Sequence, residues 1–73
     1  MTAQDVGTAV GRIGLVYKQY EHSLVANGVN GRMVALLVAE PEAEALSFLA
    51  SLGIPPPLHS RRVLMEFQSW SSL

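Results

Sequence analysis

Residues 49–64 read LASLGIPPPLHSRRVL, and this stretch decides the fold. Gly53 suits the left-handed position that closes a helix, and Ile54 can fold back onto the last turn. The three prolines that follow forbid helix and stiffen the link. A long C-terminal helix is then expected from Leu58 to about Ser71, because its apolar residues recur at helical spacing. These apolar residues are Val63, Leu64, Phe67 and Trp70.

Two further helices are expected immediately before the proline link. Pro41 suits the first position of a helix with a leucine core face, and the acids around it suit the positive end of the helix dipole. The apolar run Met33–Ala39 is too short for periodicity to decide its state, and we interpret it as a short buried helix. The leucines of the core face are Leu46, Leu49 and Leu52.

The first third of the chain is expected to be helical, in two pieces. Apolar residues recur there every three or four positions along one helix face. The glycines within this pattern each cost about 1 kcal/mol relative to alanine, so we expect a break near Gly14. Asp5 is the expected N-cap, and Asn27–Gly31 is the expected turn at the end. The apolar face consists of Val6, Val10, Ile13, Tyr17, Tyr20 and Leu24.

The composition limits the class of protein. A chain of 73 residues has room for one hydrophobic core, and the lack of cysteine excludes disulfides and thiolate zinc sites. Its net charge of −1 and its 15% of charged residues favour association and give no bulk attraction to nucleic acid. No apolar run reaches the roughly 20 residues of a membrane span, so no membrane insertion is expected. We expect one all-α domain over residues 1–73, with its core at about 5–71, within a longer intracellular, cytoplasmic protein.

Three short motifs follow one another along the chain. They are YEHSL at 20–24 followed by NGVNG at 27–31, LASLGI at 49–54, and LHSRRVL at 58–64. Together they resemble motifs of the sterile alpha motif (SAM) domain. The first motif resembles that family's aromatic-to-apolar spacing and its Asn-Gly-Ile-Asp-Gly turn. The second resembles the Leu-Gly-Ile end of helix four, and the third resembles the Gly-His-Arg-x-x-Ile-Leu start of helix five. This resemblance spans roughly residues 5–70 and implies a compact five-helix interaction module. The sequence departs from the usual family residues at Ala9, Leu58 and Ser60.

No residue pattern supports catalysis or cofactor binding. The chain has no Gly-x-Ser-x-Gly elbow, no phosphate-binding glycine loop and no His-Glu-x-x-His motif. His59 and Ser60 are neighbours on the predicted last helix, where adjacent side chains point about 100° apart, so they do not form a nucleophile pair. We therefore expect no enzyme activity, no cofactor and no metal site.

Charged residues cluster at two helix starts, and only the basic cluster by itself indicates a binding surface. His59, Arg61 and Arg62 crowd the first turn of the last helix, where the dipole disfavours positive charge. An anionic partner would offset this cost, whereas the simpler interpretations are a solvated turn or pairing with the protein's own glutamates. The acids at the start of the fourth helix suit the dipole and need no partner. They are Glu40, Glu42 and Glu44.

The SAM resemblance implies how these two patches meet. Many SAM domains assemble head to tail: an end-helix surface at the start of helix five docks on a mid-loop surface around helices two to four of the next copy. Here Leu58 would be an apolar plug ringed by charge pairs. Because the two surfaces differ, the contact is heterologous and builds a ring or a helical filament that clusters attached domains. The end-helix surface would be Leu58, His59, Arg61 and Arg62, and the mid-loop surface would include Glu40, Glu42 and Glu44.

Two alternatives for the partner stay open at this point. The chain can bind a different SAM domain through one of its surfaces, which the sequence does not separate from self-association. A minority of SAM domains bind RNA hairpins through a basic surface at the start of helix five. The other basic residues are few, and the net charge gives a weak phosphate-binding field, so we do not expect nucleic acid. These other basic residues are Arg12, Lys18 and Arg32.

Overall fold

The computed structural model describes residues 1–71 and contains five α-helices and one 3-10 helix. The predicted all-α class, the five helices and the long last helix are confirmed. Helix α1 spans Ala3–Gly11, the 3-10 helix spans Leu15–Tyr20, α2 spans Glu21–Ala26, α3 spans Gly31–Ala39, α4 spans Glu42–Ser51 and α5 spans Leu58–Ser71.

The start of α1 is closed by a reciprocal pair of hydrogen bonds. Thr2 is the N-cap, and its hydroxyl accepts from the Asp5 amide at 3.1 Å. The Asp5 carboxylate accepts in return from the Thr2 amide at 3.0 Å. The prediction that Asp5 is the N-cap is therefore wrong, because Asp5 is the third helical residue of a capping box that begins three positions earlier.

The break near Gly14 is confirmed. Helix α1 ends at Gly11, and the chain resumes as the 3-10 helix before α2 begins at Glu21. Helix α2 returns close against α1: a Cβ added at Gly7 would lie 3.3 Å from the Glu21 carbonyl oxygen. Glycine therefore permits the two backbones to approach at this point.

The predicted turn that contains Gly28 and the predicted helix end at Gly53 both form. Gly28 and Gly53 adopt positive φ values of 66° and 89°. After Gly53 the Ile54 amide donates to the Leu49 carbonyl at 3.1 Å, and the Ile54 side chain is fully buried. The proline link that follows therefore starts from a fixed point on the end of α4.

At the other end of α4, Pro41 is the N-cap and not the first helical residue as predicted, since α4 begins at Glu42.

The core lies where α1, α2, α3, α4 and α5 meet. The helix predicted to be buried, α3, is buried on one face only: Val34 and Leu37 face the core, whereas Leu36 is exposed. The predicted leucine face of α4 is likewise graded, with Leu49 fully buried and its neighbours partly buried. The buried residues are Val6, Val10, Tyr20, Leu24, Val29, Val34, Leu37, Ala45, Leu49, Ile54, Val63, Leu64 and Phe67.

Candidate docking surfaces

The start of α5 is held by the proline link that precedes it. The Ser60 amide donates to the Pro55 carbonyl at 3.1 Å, and the Arg61 amide donates to the Pro57 carbonyl at 3.2 Å. These two first-turn N–H groups are already satisfied, so a partner at this end meets side chains and not these amides. Ser60 itself is fully buried, so it does not belong to the exposed surface.

His59 packs inward between two tyrosines of the 3-10 helix. Its ring centroid lies 4.8 Å from that of Tyr17 and 5.6 Å from that of Tyr20. The Tyr20 hydroxyl and Nδ1 of His59 form a hydrogen bond. Burial raises the pKa of Tyr20, which keeps this hydroxyl protonated. His59 therefore holds the start of α5 against the 3-10 helix, a segment far away in sequence. Within one chain its role is to fix the first turn of α5.

The sequence alone assigned Tyr17 and Tyr20 to the core and His59 to the docking surface. The structure joins the three in one cluster. No local pattern indicates this contact, because His59 and Tyr20 are 39 positions apart. The hydroxyl of Tyr20 was the available signal, since a buried Tyr usually finds a hydrogen-bond partner.

The other end-helix residues project into solvent. Leu58 is 77% exposed, and Arg61 and Arg62 are exposed beside it. Arg62 lies 3.3 Å from Glu66 one turn further along α5. An exposed pair of this kind contributes about 0.3–0.5 kcal/mol, so it competes weakly with any carboxylate that a partner brings.

The acids predicted for the mid-loop surface lie beside an apolar groove between α3 and α4. The groove has a volume of about 260 Å³, and Glu40 and Glu44 are among the residues that line it. Glu42 is exposed in the first turn of α4 and does not line the groove. Leu36, the exposed leucine of α3, is one of the residues that line it. The apolar lining residues are Met33, Leu36, Leu37 and Phe48.

The two surfaces do not neutralise each other within one copy. Among the described residues the structure shows one ion pair, between Arg62 and Glu66, so Glu40 and Glu44 do not pair with α5 of their own chain. The acids lie at the start of α4, and the end of this helix leads into the proline link before α5. The two ends of α4 are about 15 Å apart, because the helix has 10 residues. Both surfaces are therefore available at once in the same molecule.

The described residues offer neither a metal site nor a membrane-spanning helix. Within residues 1–71, no group of three His, Asp or Glu side chains is placed to hold a metal ion. None of the helices there has the length and apolar character needed to cross a membrane. No family model matches this chain, and no curated protein or solved structure matches it. The function must therefore be inferred from the geometry of the two surfaces.

Proposed function

We propose that this chain is a SAM-like interaction module that associates with itself head to tail. Leu58 of one copy enters the α3/α4 groove of the next copy, and Arg61 and Arg62 meet Glu40 and Glu44. The observation that carries this proposal is the match between an exposed leucine beside two cations and an exposed apolar groove beside two carboxylates.

Each contact of this kind is weak by itself. Burying the Leu58 side chain contributes about 1.5–3 kcal/mol, and each rim ion pair contributes about 0.2–1 kcal/mol. These gains oppose an association cost of about 4–15 kcal/mol. We therefore expect assembly at high local concentration, for example when the module is linked to other domains.

The contact propagates because it joins two different surfaces. After each contact the assembly still has one unoccupied groove, on one terminal copy, and one unoccupied Leu58, on the other terminal copy. The product is a closed ring or an open helical filament. Domains attached to such an assembly are held at an effective concentration in the millimolar range, which can bring them into contact without any new binding site.

Charge reversal tests the proposal. We expect Arg61→Glu with Arg62→Glu to leave a folded monomer in sedimentation velocity, and Glu40→Arg with Glu44→Arg to do the same. The chain that carries all four changes has the net charge of the original protein and complementary surfaces again, so it should assemble. Unchanged large particles in either double variant would refute the proposal, as would a wild-type chain that stays monomeric when concentrated.

A second test asks whether Leu58 contributes a specific contact or only exposed apolar surface. Leu58→Ser should weaken assembly, whereas Met65→Ser, another exposed apolar residue on α5, should leave it unchanged. Raising the salt concentration should weaken assembly of the wild type, because charge pairs are screened over about 8–10 Å at physiological ionic strength. Equal effects of the two substitutions would argue against a groove that receives Leu58.

A further inference from the structure

The 3-10 helix and the start of α5 form one packed unit. A 3-10 helix has three residues per turn, so Tyr17 and Tyr20 lie on the same side of it. Both rings contact His59, and Tyr20 also forms a hydrogen bond with it. Leu58 is the neighbour of His59 in the chain, so the exposed leucine and the 3-10 helix lie at the same end of the molecule.

The four residues of the 3-10 helix that do not contact His59 are all exposed, and two of them, Leu15 and Val16, are large and apolar. Leu15 is 84% exposed, more than Leu58 or any other large apolar side chain among the described residues, and Val16 is 56% exposed. Lys18 lies three positions after Leu15, on the same side of the helix, and is exposed as well. This surface therefore repeats the chemistry of the end-helix surface, an apolar knob beside a cation.

The end-helix surface by itself is small for a specific interface. Stable contacts bury about 800 Å² on each partner and use about 20–30 residues a side. Leu58 and two arginines supply a small part of this area. The adjoining surface of Leu15 and Val16 adds two large apolar side chains at the same end of the chain.

The charges of the two partners are also better matched when this surface is included. The acids around α4 number three, and Glu42 does not line the groove that the leucine would enter. Lys18 would supply a third cation on the opposite side of the contact. Pairing of the 3-10 helix with itself is disfavoured, because it would bring two copies of Lys18 together.

We propose that the 3-10 helix forms the second half of the docking surface, with Leu15, Val16 and Lys18 contacting the acidic start of α4 and the adjoining groove in a second copy of the chain. This inference rests on the proposed head-to-tail assembly and adds the residues that complete its area. The 3-10 helix is thereby assigned a binding role besides its role in holding His59.

The test uses two copies that can pair only once. A donor copy carries Glu40→Arg and Glu44→Arg, so it retains the end-helix surface and lacks a working groove. An acceptor copy carries Leu58→Ser, Arg61→Ser and Arg62→Ser, so it retains the groove and lacks the plug. Mixing them should give a one-to-one complex whose dissociation constant is measured by NMR titration.

Leu15→Ser with Val16→Ser is then introduced into either copy. We expect the dissociation constant to rise by about tenfold when the change is in the donor and to stay unchanged when it is in the acceptor. Lys18→Glu provides a second variant without apolar loss, and it should weaken binding several-fold only in the donor. Circular dichroism of each variant verifies that the helices are retained.

The outcomes separate this inference from the proposed function. A complex that tolerates all of these changes in the donor would overturn the inference and leave the head-to-tail contact intact. Equal weakening from the donor and the acceptor would also overturn it, because the effect would then come from the fold. A mixture in which no complex forms would overturn both proposals.

Discussion

The starts of α1 and α5 treat the helix dipole in opposite ways. Helix α1 begins with Thr2 and Asp5, which place an acid at the positive end and satisfy each other's amides. Helix α5 begins with cations at the same kind of end, and it is held by the carbonyls of Pro55 and Pro57 and by the contact of His59 with Tyr20. A helix start that its own residues satisfy needs no partner. At the start of α5 the two arginines remain exposed, and they are the cations of the proposed contact.

The largest expected effect comes from giving α5 the charge pattern of α1. Arg61→Glu should weaken assembly by up to about thirtyfold, because it removes a rim ion pair worth about 0.2–1 kcal/mol and replaces it with a repulsion of similar size. The same change should raise the free energy of unfolding by about 0.3–1 kcal/mol, since an acid near the start of a helix is favourable. Sedimentation measures the assembly, and urea unfolding of dilute, monomeric protein measures the stability. A variant that is less stable and still assembles would contradict both expectations, that the cation at the start of α5 costs stability and that it serves the contact.

Removing the contacts of His59 with the two tyrosines should lower the free energy of unfolding. His59→Ala leaves the Tyr20 hydroxyl without its partner and removes two ring contacts, at a cost of about 2 kcal/mol. His22 is exposed on α2, so His22→Ala should change the free energy of unfolding by less than about 0.5 kcal/mol. Urea unfolding of both variants checks this prediction. Equal stabilities would mean that the cluster around His59 does not hold α5.

Removing the cap of α1 should affect folding alone. Thr2→Ala should lower the free energy of unfolding by about 1 kcal/mol, the usual cost of a lost N-cap. Assembly measured by sedimentation should stay unchanged, because no part of α1 belongs to either docking surface. Thr8→Ala in the middle of the same helix is the matched control and should have a smaller effect on stability. Loss of assembly in Thr2→Ala would show that α1 takes part in the contact.

The smallest expected effect depends on pH. The backbone hydrogen bond from Thr2, followed by the side-chain hydrogen bond, holds the pKa of Asp5 below its ordinary value of 3.8. A depressed pKa stabilises the fold above the ordinary value, and this stabilisation is lost as the pH falls through the lowered value. Wild type should therefore be more stable than Asp5→Ala at neutral pH, and the gap should narrow below about pH 3.8. Urea unfolding across this range measures the gap, and a gap that widens in acid would contradict the assignment.

Much of the chain was predictable because the signals are local. The left-handed glycines at Gly28 and Gly53 and the proline link follow from the φ values that each residue permits. The core face of α5 follows from its spacing. The errors at Asp5 and Pro41 are shifts of a few positions, since the N-cap and the first turn of a helix favour overlapping sets of residues.

The candidate surfaces were predictable in their charge and not in their shape. The sequence shows cations at one helix start and acids at another. It does not show that Glu40 and Glu44 line a groove while Glu42 does not, because that depends on how α3 lies against α4. It also does not show which residues of α3 face solvent, since a continuous apolar run has no periodicity that separates a buried face from an exposed one.

By itself, therefore, the sequence determined the helices, the joints between them and the sign of each charged patch, because each of these depends on residues a few positions apart. Only the tertiary structure decided that His59 turns inward to Tyr20 while Leu58 remains outside, and that an apolar groove opens beside the acids. Such features arise when helices distant in the chain pack together, and packing depends on the shapes of all the faces that meet.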